Sequence, residues 1–138
     1  MLNTVFLQTW SGRFKIAEWV LILIMVLILR FTLGSLALPG VDAAMITYGT
    51  IVGYIIIVSA IIANYLLGAN ISYLELIING LGIIVFTAVG GVHLDFYNKI
   101  SGSSSTGPLA IGVLSILTAA VFLADLVLVV RSTEFRRN

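Results

Sequence analysis

Long apolar runs, interrupted at short intervals by glycine, proline and small polar residues, set the rhythm of this chain. Four runs are long enough to cross a bilayer, whose core of ~30 Å takes ~20 helical residues rising ~1.5 Å each. They cover about 14–33, 43–67, 73–93 and 109–130. The breaks fall at Leu38-Pro39-Gly40, at Gly68-Ala69-Asn70 and at the serine-rich stretch 101–108. Pro108 suits a first helical turn, where its missing N–H leaves nothing unsatisfied. Runs such as 19–29 show no apolar–polar alternation, so a β-barrel does not fit. Helices satisfy their own backbone hydrogen bonds in lipid. The pattern predicts an all-α protein: one domain, 1–138, forming a four-helix transmembrane bundle with short loops. The first run has signal-peptide features, with Arg13 and Lys15 ahead of it and Ser35-Leu36-Ala37 behind. It exceeds the ~7–15 apolar residues of a signal core and ends in Arg30, so it is read as a retained span.

Composition agrees with this reading. Of 138 residues, 60% are hydrophobic and 9% charged, against about 25% charged in soluble domains. The lipid bilayer is therefore the first partner expected. A net charge of +1 offers no basic face for nucleic acid. With no cysteine and one histidine, neither a disulfide framework nor a zinc site is expected, and no cofactor. No nucleophile elbow, phosphate loop or metalloprotease motif occurs. The polar segments are too short to build a catalytic site, so the chain is read as not an enzyme. Orientation follows lysine and arginine: Arg13, Lys15, Arg131, Arg136 and Arg137 on one side, Arg30 and Lys99 on the other. That bias places both termini in the cytoplasm. The sequon Asn70-Ile71-Ser72 then faces the cytoplasm too.

Ionisable residues inside spans are costly in lipid and are functional candidates for that reason. Glu18, Glu75 and Asp125 fall at similar depth on the cytoplasmic side, bordered by Arg13, Lys15 and Arg131. The favoured reading makes them structural, anchoring helix ends and cross-linking the bundle. The alternative is an ion or proton path using Asp125 and Glu18. Asp125 is the strongest single candidate, since an acid well inside a helix costs ~2.5–3.5 kcal/mol on insertion scales. It is expected to pair inside the bundle, with Thr118 seven residues before it on nearly the same face. Lys15 and Glu18 can pair at i, i+3, while long basic side chains can bend toward the headgroups. Arg30 has Asp42 and Asp95 as candidate partners, and His93 reads as a hydrogen-bonded surface residue at the outer interface.

Small residues mark close helix contacts in lipid. Gly49 and Gly53 form a Gly-x-x-x-Gly pair in the second span, read mainly as intramolecular packing, with homo-oligomer formation as the second use. Asn79, Gly82, Phe86 and Gly90 share a face of the third span, beside Gly91, and Ala120 and Ala124 share one on the fourth. The first span is bulky (Leu21, Ile22, Leu23, Ile24, Met25) and is expected to be the more lipid-facing or partner-facing member. Tyr48, Tyr54, Tyr65, Tyr73, Tyr97 and Trp19 are expected to serve mostly as interfacial anchors.

Four short-looped spans with an acid in the first turns of the first helix resemble the MARVEL-like membrane proteins. Lys15, Glu18 and the apolar run that follows carry that likeness. The later half is similar to the snakeskin family, small four-span proteins of insect smooth septate junctions. This likeness rests on Glu75, Asn79, Gly82, Ala88, Gly90 and Gly91 in the third span and Asp125 in the fourth. It covers roughly the last 65 residues well and the first half only by layout. The snakeskin resemblance implies a structural protein of an epithelial cell–cell junction, multi-pass in the plasma membrane and associated laterally with other membrane proteins; the MARVEL-like resemblance implies, as the alternative, a membrane-trafficking or lipid-organising protein. Claudins and tetraspanins fit less well, since their cysteine-bearing outer loops have no counterpart here. The layout predicts that an impermeant label added outside the cell reaches residues 101–106 and neither terminus. Labelling of a tagged terminus in intact cells would refute it.

Overall fold

A computed structural model describes residues 4–31, 40–69, 71–100 and 106–135. Leu38, Pro39, the Ser35-Leu36-Ala37 stretch, Asn70 of the sequon, residues 101–105 of the serine-rich stretch, Arg136 and Arg137 lie outside the described residues. The described chain is all-α. A short 3-10 helix, Thr4–Gln8, precedes α1 (Trp10–Phe31), α2 (Val41–Leu66), α3 (Ser72–Lys99) and α4 (Thr106–Phe135). These are the four helices that the apolar runs predict. Their ends differ because hydropathy marks the lipid and not the helix. α3 continues six residues past His93, held by an Asp95–Lys99 ion pair of 2.6 Å at i, i+4. α4 continues five residues past Val130.

Local chemistry explains the helix ends. Thr9 caps α1, its Oγ1 accepting from the Gly12 N–H at 3.1 Å. The same hydroxyl donates to the Phe6 carbonyl at 2.6 Å and folds the 3-10 helix back onto α1. Gly12 permits this approach, because a Cβ there would lie 2.1 Å from the Phe6 oxygen. At the far end of α2, Gly68 takes φ +80°. The Gly68 N–H then bonds the Tyr65 carbonyl and the Ala69 N–H the Asn64 carbonyl, each at 3.0 Å. This is the pairing of a Schellman motif, and it needs a residue tolerant of the left-handed region.

The helices run alternately up and down. One buried stripe per helix builds the core, with steps of three and four residues. On α1 it is Lys15, Glu18, Ile22, Met25 and Leu29. On α2 it is Thr47, Ile51, Tyr54, Val58 and Ile61. α3 contributes Glu75, Asn79, Gly82, Phe86, Val89 and His93, and α4 Ile111, Ser115, Phe122, Asp125 and Val129. The opposite faces are apolar and exposed, for example Val20, Ile24, Ile56, Ile84, Leu117 and Leu123. α2, α3 and residues Thr106–Ser132 of α4 are long and apolar enough to cross a membrane. α1 carries Arg13, Lys15, Glu18 and Arg30. Lys15 and Glu18 turn inward, while Arg13 and Arg30 are exposed near the two ends of the helix, leaving an apolar outer face between them.

α1 differs from expectation. Ile22 and Met25 are fully buried, and the helix packs against both α2 and α4. Its stripe of branched and flexible side chains, Ile22, Met25 and Leu29, joins Ile51, Val58, Phe86 and Phe122 in the core. The most extensive contact is α3 with α4. A Cβ on Gly90 would lie 2.6 Å from Ile116 and 3.2 Å from the Gly112 carbonyl, and one on Gly112 would lie 2.9 Å from Leu94. A Cβ on Gly82 would press on the Phe122 ring at 3.1 Å. Gly49, Gly53 and Gly91 correct the expected packing pattern. A Cβ at any of the three would meet nothing within 4 Å, because these positions turn away from neighbouring helices. Ala120 is likewise exposed.

Replacing Gly90 with leucine is expected to overpack the α3–α4 seam and destabilise the fold by ~1–3 kcal/mol. The same replacement at Gly49 or Gly53 should change stability by no more than ~0.5 kcal/mol. Equilibrium unfolding of the three variants in one detergent measures the contrast.

Candidate functional site

Three of the four helices send ionic side chains to one buried point near the chain's N-terminal end, and the fourth sends a phenol. Lys15 and Glu18 come from α1, one turn apart. Glu75 and Asn79 come from α3, also one turn apart, and Asp125 comes from the last third of α4. Each lies on its helix's inward stripe, so the packing that buries Ile22, Phe86 and Phe122 also carries these groups inside. Lys15, Glu18, Asn79 and Asp125 are fully inaccessible, and Glu75 nearly so.

Lys15 is the centre. Its Nζ lies 2.6 Å from Asp125 Oδ2, 2.9 Å from Glu18 Oε2 and 3.4 Å from Glu75 Oε1. It also donates to Asn79 Oδ1 at 2.7 Å. The amide is used at both ends, because Asn79 Nδ2 donates to Asp125 Oδ2 at 2.8 Å. Ser11 Oγ approaches Asp125 Oδ1 at 3.4 Å. α2 joins through the Tyr65 hydroxyl, which donates to Glu75 Oε2. Tyr65 is in turn stacked on Phe6, with ring centroids 4.3 Å apart. The ammonium also sits 5.5 Å from the Phe122 ring centroid, within cation–π range.

Below the cluster the core is largely apolar, with the Ser115 and Thr118 hydroxyls buried in it. Tyr54, Phe86 and Phe122 form an aromatic trio with centroid separations of 5.2, 5.5 and 5.7 Å. Ile22, Met25, Ile51 and Val89 continue the layer. At the opposite end His93 is buried, with Nε2 2.9 Å from Thr47 Oγ1. The described residues hold no group of acids and histidines arranged to bind a metal.

The structure brings together Glu18, Glu75, Asn79 and Asp125, with Gly82 and Gly90 on the same buried face of α3. It adds Lys15, whose expected i, i+3 pairing with Glu18 is present at 2.9 Å, and turns it into the interior and away from the headgroups. A signal for the inward position exists: Lys15 shares spacings of three and seven with Glu18 and Ile22 on one stripe. Inside, the ammonium meets Asp125, Asn79 and Glu18 at 2.6, 2.7 and 2.9 Å, contacts that offset its desolvation. Arg30 is exposed and makes no ion pair among the described residues, since Asp95 binds Lys99 instead and Asp42 is exposed. His93 lies in the interior and not at the surface, because its position continues the α3 stripe. Thr118 donates to its own helix at the Leu114 carbonyl and does not reach Asp125. Three aromatic residues expected as interfacial anchors join helices instead. Tyr54 donates to the Ile78 carbonyl, Tyr65 to Glu75, and the Trp19 indole to Ser59 at 2.9 Å.

A search of curated proteins finds a similarity to protein snakeskin of Bombyx mori, 29% identical over 95 residues. The match takes in 61% of this chain and 60% of that protein's length. No family model matches the chain, so the MARVEL resemblance gains no support. No solved structure matches either.

Removing one partner of a buried ion cluster leaves an uncompensated charge and costs about 3–5 kcal/mol. Asp125→Leu and Lys15→Met are each expected to lose that much in equilibrium unfolding, and to be retained in the secretory pathway when expressed in cells. Tyr65→Phe removes one neutral donor and should lose only about 1 kcal/mol. Wild-type stability and trafficking of Asp125→Leu would contradict a structural role for the cluster.

Proposed function

We propose that this protein is a structural, non-enzymatic component of an epithelial cell–cell junction of the smooth septate type. It acts through lateral association with other membrane proteins in the plasma membrane, with both termini in the cytoplasm. The buried cluster carries the reading. The polar groups that are most expensive in lipid are used to join α1, α2, α3 and α4 at one end of the bundle. Between them and the His93–Thr47 pair stands a continuous apolar layer of Ile22, Met25, Ile51, Phe86, Val89 and Phe122. The polar groups buried alongside that layer, the Tyr54, Ser115 and Thr118 hydroxyls, are neutral, and among the described residues no further buried carboxylate continues the path built on Asp125 and Glu18, which disfavours it. The apolar outer faces of all four helices suit contact with lipid and with other spans. The similarity to protein snakeskin supports the junctional setting.

A tagged full-length chain expressed in polarised insect epithelium tests this. It should concentrate at lateral cell contacts and co-purify in mild detergent with other multi-span membrane proteins. Uniform surface distribution without such partners would overturn the junctional reading. Cation or proton flux through the purified chain in proteoliposomes, lost in Asp125→Asn, would favour transport instead.

A further inference from the structure

Three carboxylates face one ammonium in the cluster, so if all were ionised the site would carry an excess of two negative charges. An apolar interior does not hold an unbalanced charge of that size; the groups neutralise instead. The hydrogen bonds are distributed unequally among the three acids. Asp125 receives Lys15 and Asn79 on Oδ2 and Ser11 on Oδ1. Glu18 receives Lys15 on Oε2, and its Oε1 has no hydrogen-bond partner although the side chain is fully buried. Glu75 repeats the pattern. Its Oε2 accepts from Tyr65, and its Oε1, also buried, has no hydrogen bond, the Lys15 ammonium standing off at 3.4 Å. A carboxylate with a bare oxygen away from water is the form least favoured there, whereas the carboxylic acid leaves no net charge to solvate.

We propose that the cluster is a proton-binding site holding two protons, one on Glu18 and one on Glu75, with Lys15 and Asp125 as its single ionic pair. In each neutral acid Oε2 remains an acceptor, for Lys15 on Glu18 and for Tyr65 on Glu75. The site is then electrically neutral. The groups facing it are Lys15, Glu18 and Ser11 from α1, Tyr54 and Tyr65 from α2, Glu75 and Asn79 from α3, and Asp125 from α4. No second cation is among them. The inference stands apart from the junctional role and would hold in any membrane setting.

The amide variants of the full-length chain in detergent test it, since glutamine mimics a neutral glutamic acid. Glu18→Gln, Glu75→Gln and the double variant should melt within about 2 °C of the wild type, while Asp125→Asn should melt on the order of 10 °C lower. Glutamine variants that fall as far as Asp125→Asn would overturn the proposal. Infrared spectra give a readout independent of folding yield. The un-ionised carboxylic-acid carbonyl band should be present in the wild type, weaker in each single variant and absent in the double. Its absence from the wild type, or its loss in Asp125→Asn alone, would overturn the assignment. Melting in sodium, potassium and choline salts at equal ionic strength should coincide. A rise specific to sodium or potassium would mean that a metal cation, and not a proton, balances the charge.

Discussion

One lysine ammonium, removed from both water and lipid, organises this bundle. Lys15 lies within 3.4 Å of carboxylates from two other helices and from its own, and of the Asn79 amide. The desolvation of such a cation is offset only when every partner is in position at once. The attraction is therefore conditional on the tertiary fold. α1 cannot rotate by a fraction of a turn without parting Lys15 from Asp125, and α3 cannot slide past α4 without breaking the Asn79–Asp125 hydrogen bond, in a medium that solvates neither. Apolar packing in lipid has weak directional preference, because lipid tails are about as apolar as leucine. The cluster supplies the register that packing alone would leave soft.

The four helices are joined in two different ways. α3 and α4 meet backbone to backbone, through Gly90 and Gly112, with Gly82 making room for the Phe122 ring. α2 has no glycine against a neighbour and is tied instead by the tips of its side chains: Thr47 to His93, Tyr54 to the Ile78 carbonyl, Ser59 to Trp19 and Tyr65 to Glu75. These ties are spread along the length of the helix, so α2 is fixed at several heights without close approach. The 3-10 helix closes the charged end, placing Phe6 on Tyr65 over the point where the ions converge.

This arrangement bears on function through what faces outward. With Lys15, Glu18, Glu75 and Asp125 turned inside and the exposed charges Arg13, Arg30, Asp42, Asp95 and Lys99 near helix ends, the surface between is branched aliphatic side chains and small residues such as Gly49, Gly91 and Ala120. The described spans expose apolar side chains along their length. These faces are where association with other membrane proteins has room to occur, in keeping with the lateral role proposed.

The sequence by itself determined that the chain is all-α, that it has four helices and about where they lie. Lipid imposes a minimum length of apolar helix, and Gly68 writes its turn locally. The buried face of α3 was legible too, since Asn79, Gly82, Phe86 and Gly90 recur at helical spacing. The common depth of Glu18, Glu75 and Asp125 could be counted from the helix ends. Tertiary structure alone decided which face of each helix meets which neighbour. It put Gly49 and Gly53 in open space although their spacing is that of a packing motif, and Gly112 in contact although no motif marks it. It also drew Lys15 inward. Spacing along one helix fixes the angle between its side chains but carries no information about the rotation of that helix against three others. The energy of a buried ion pair depends on that rotation, and it exists only once all the partners are assembled.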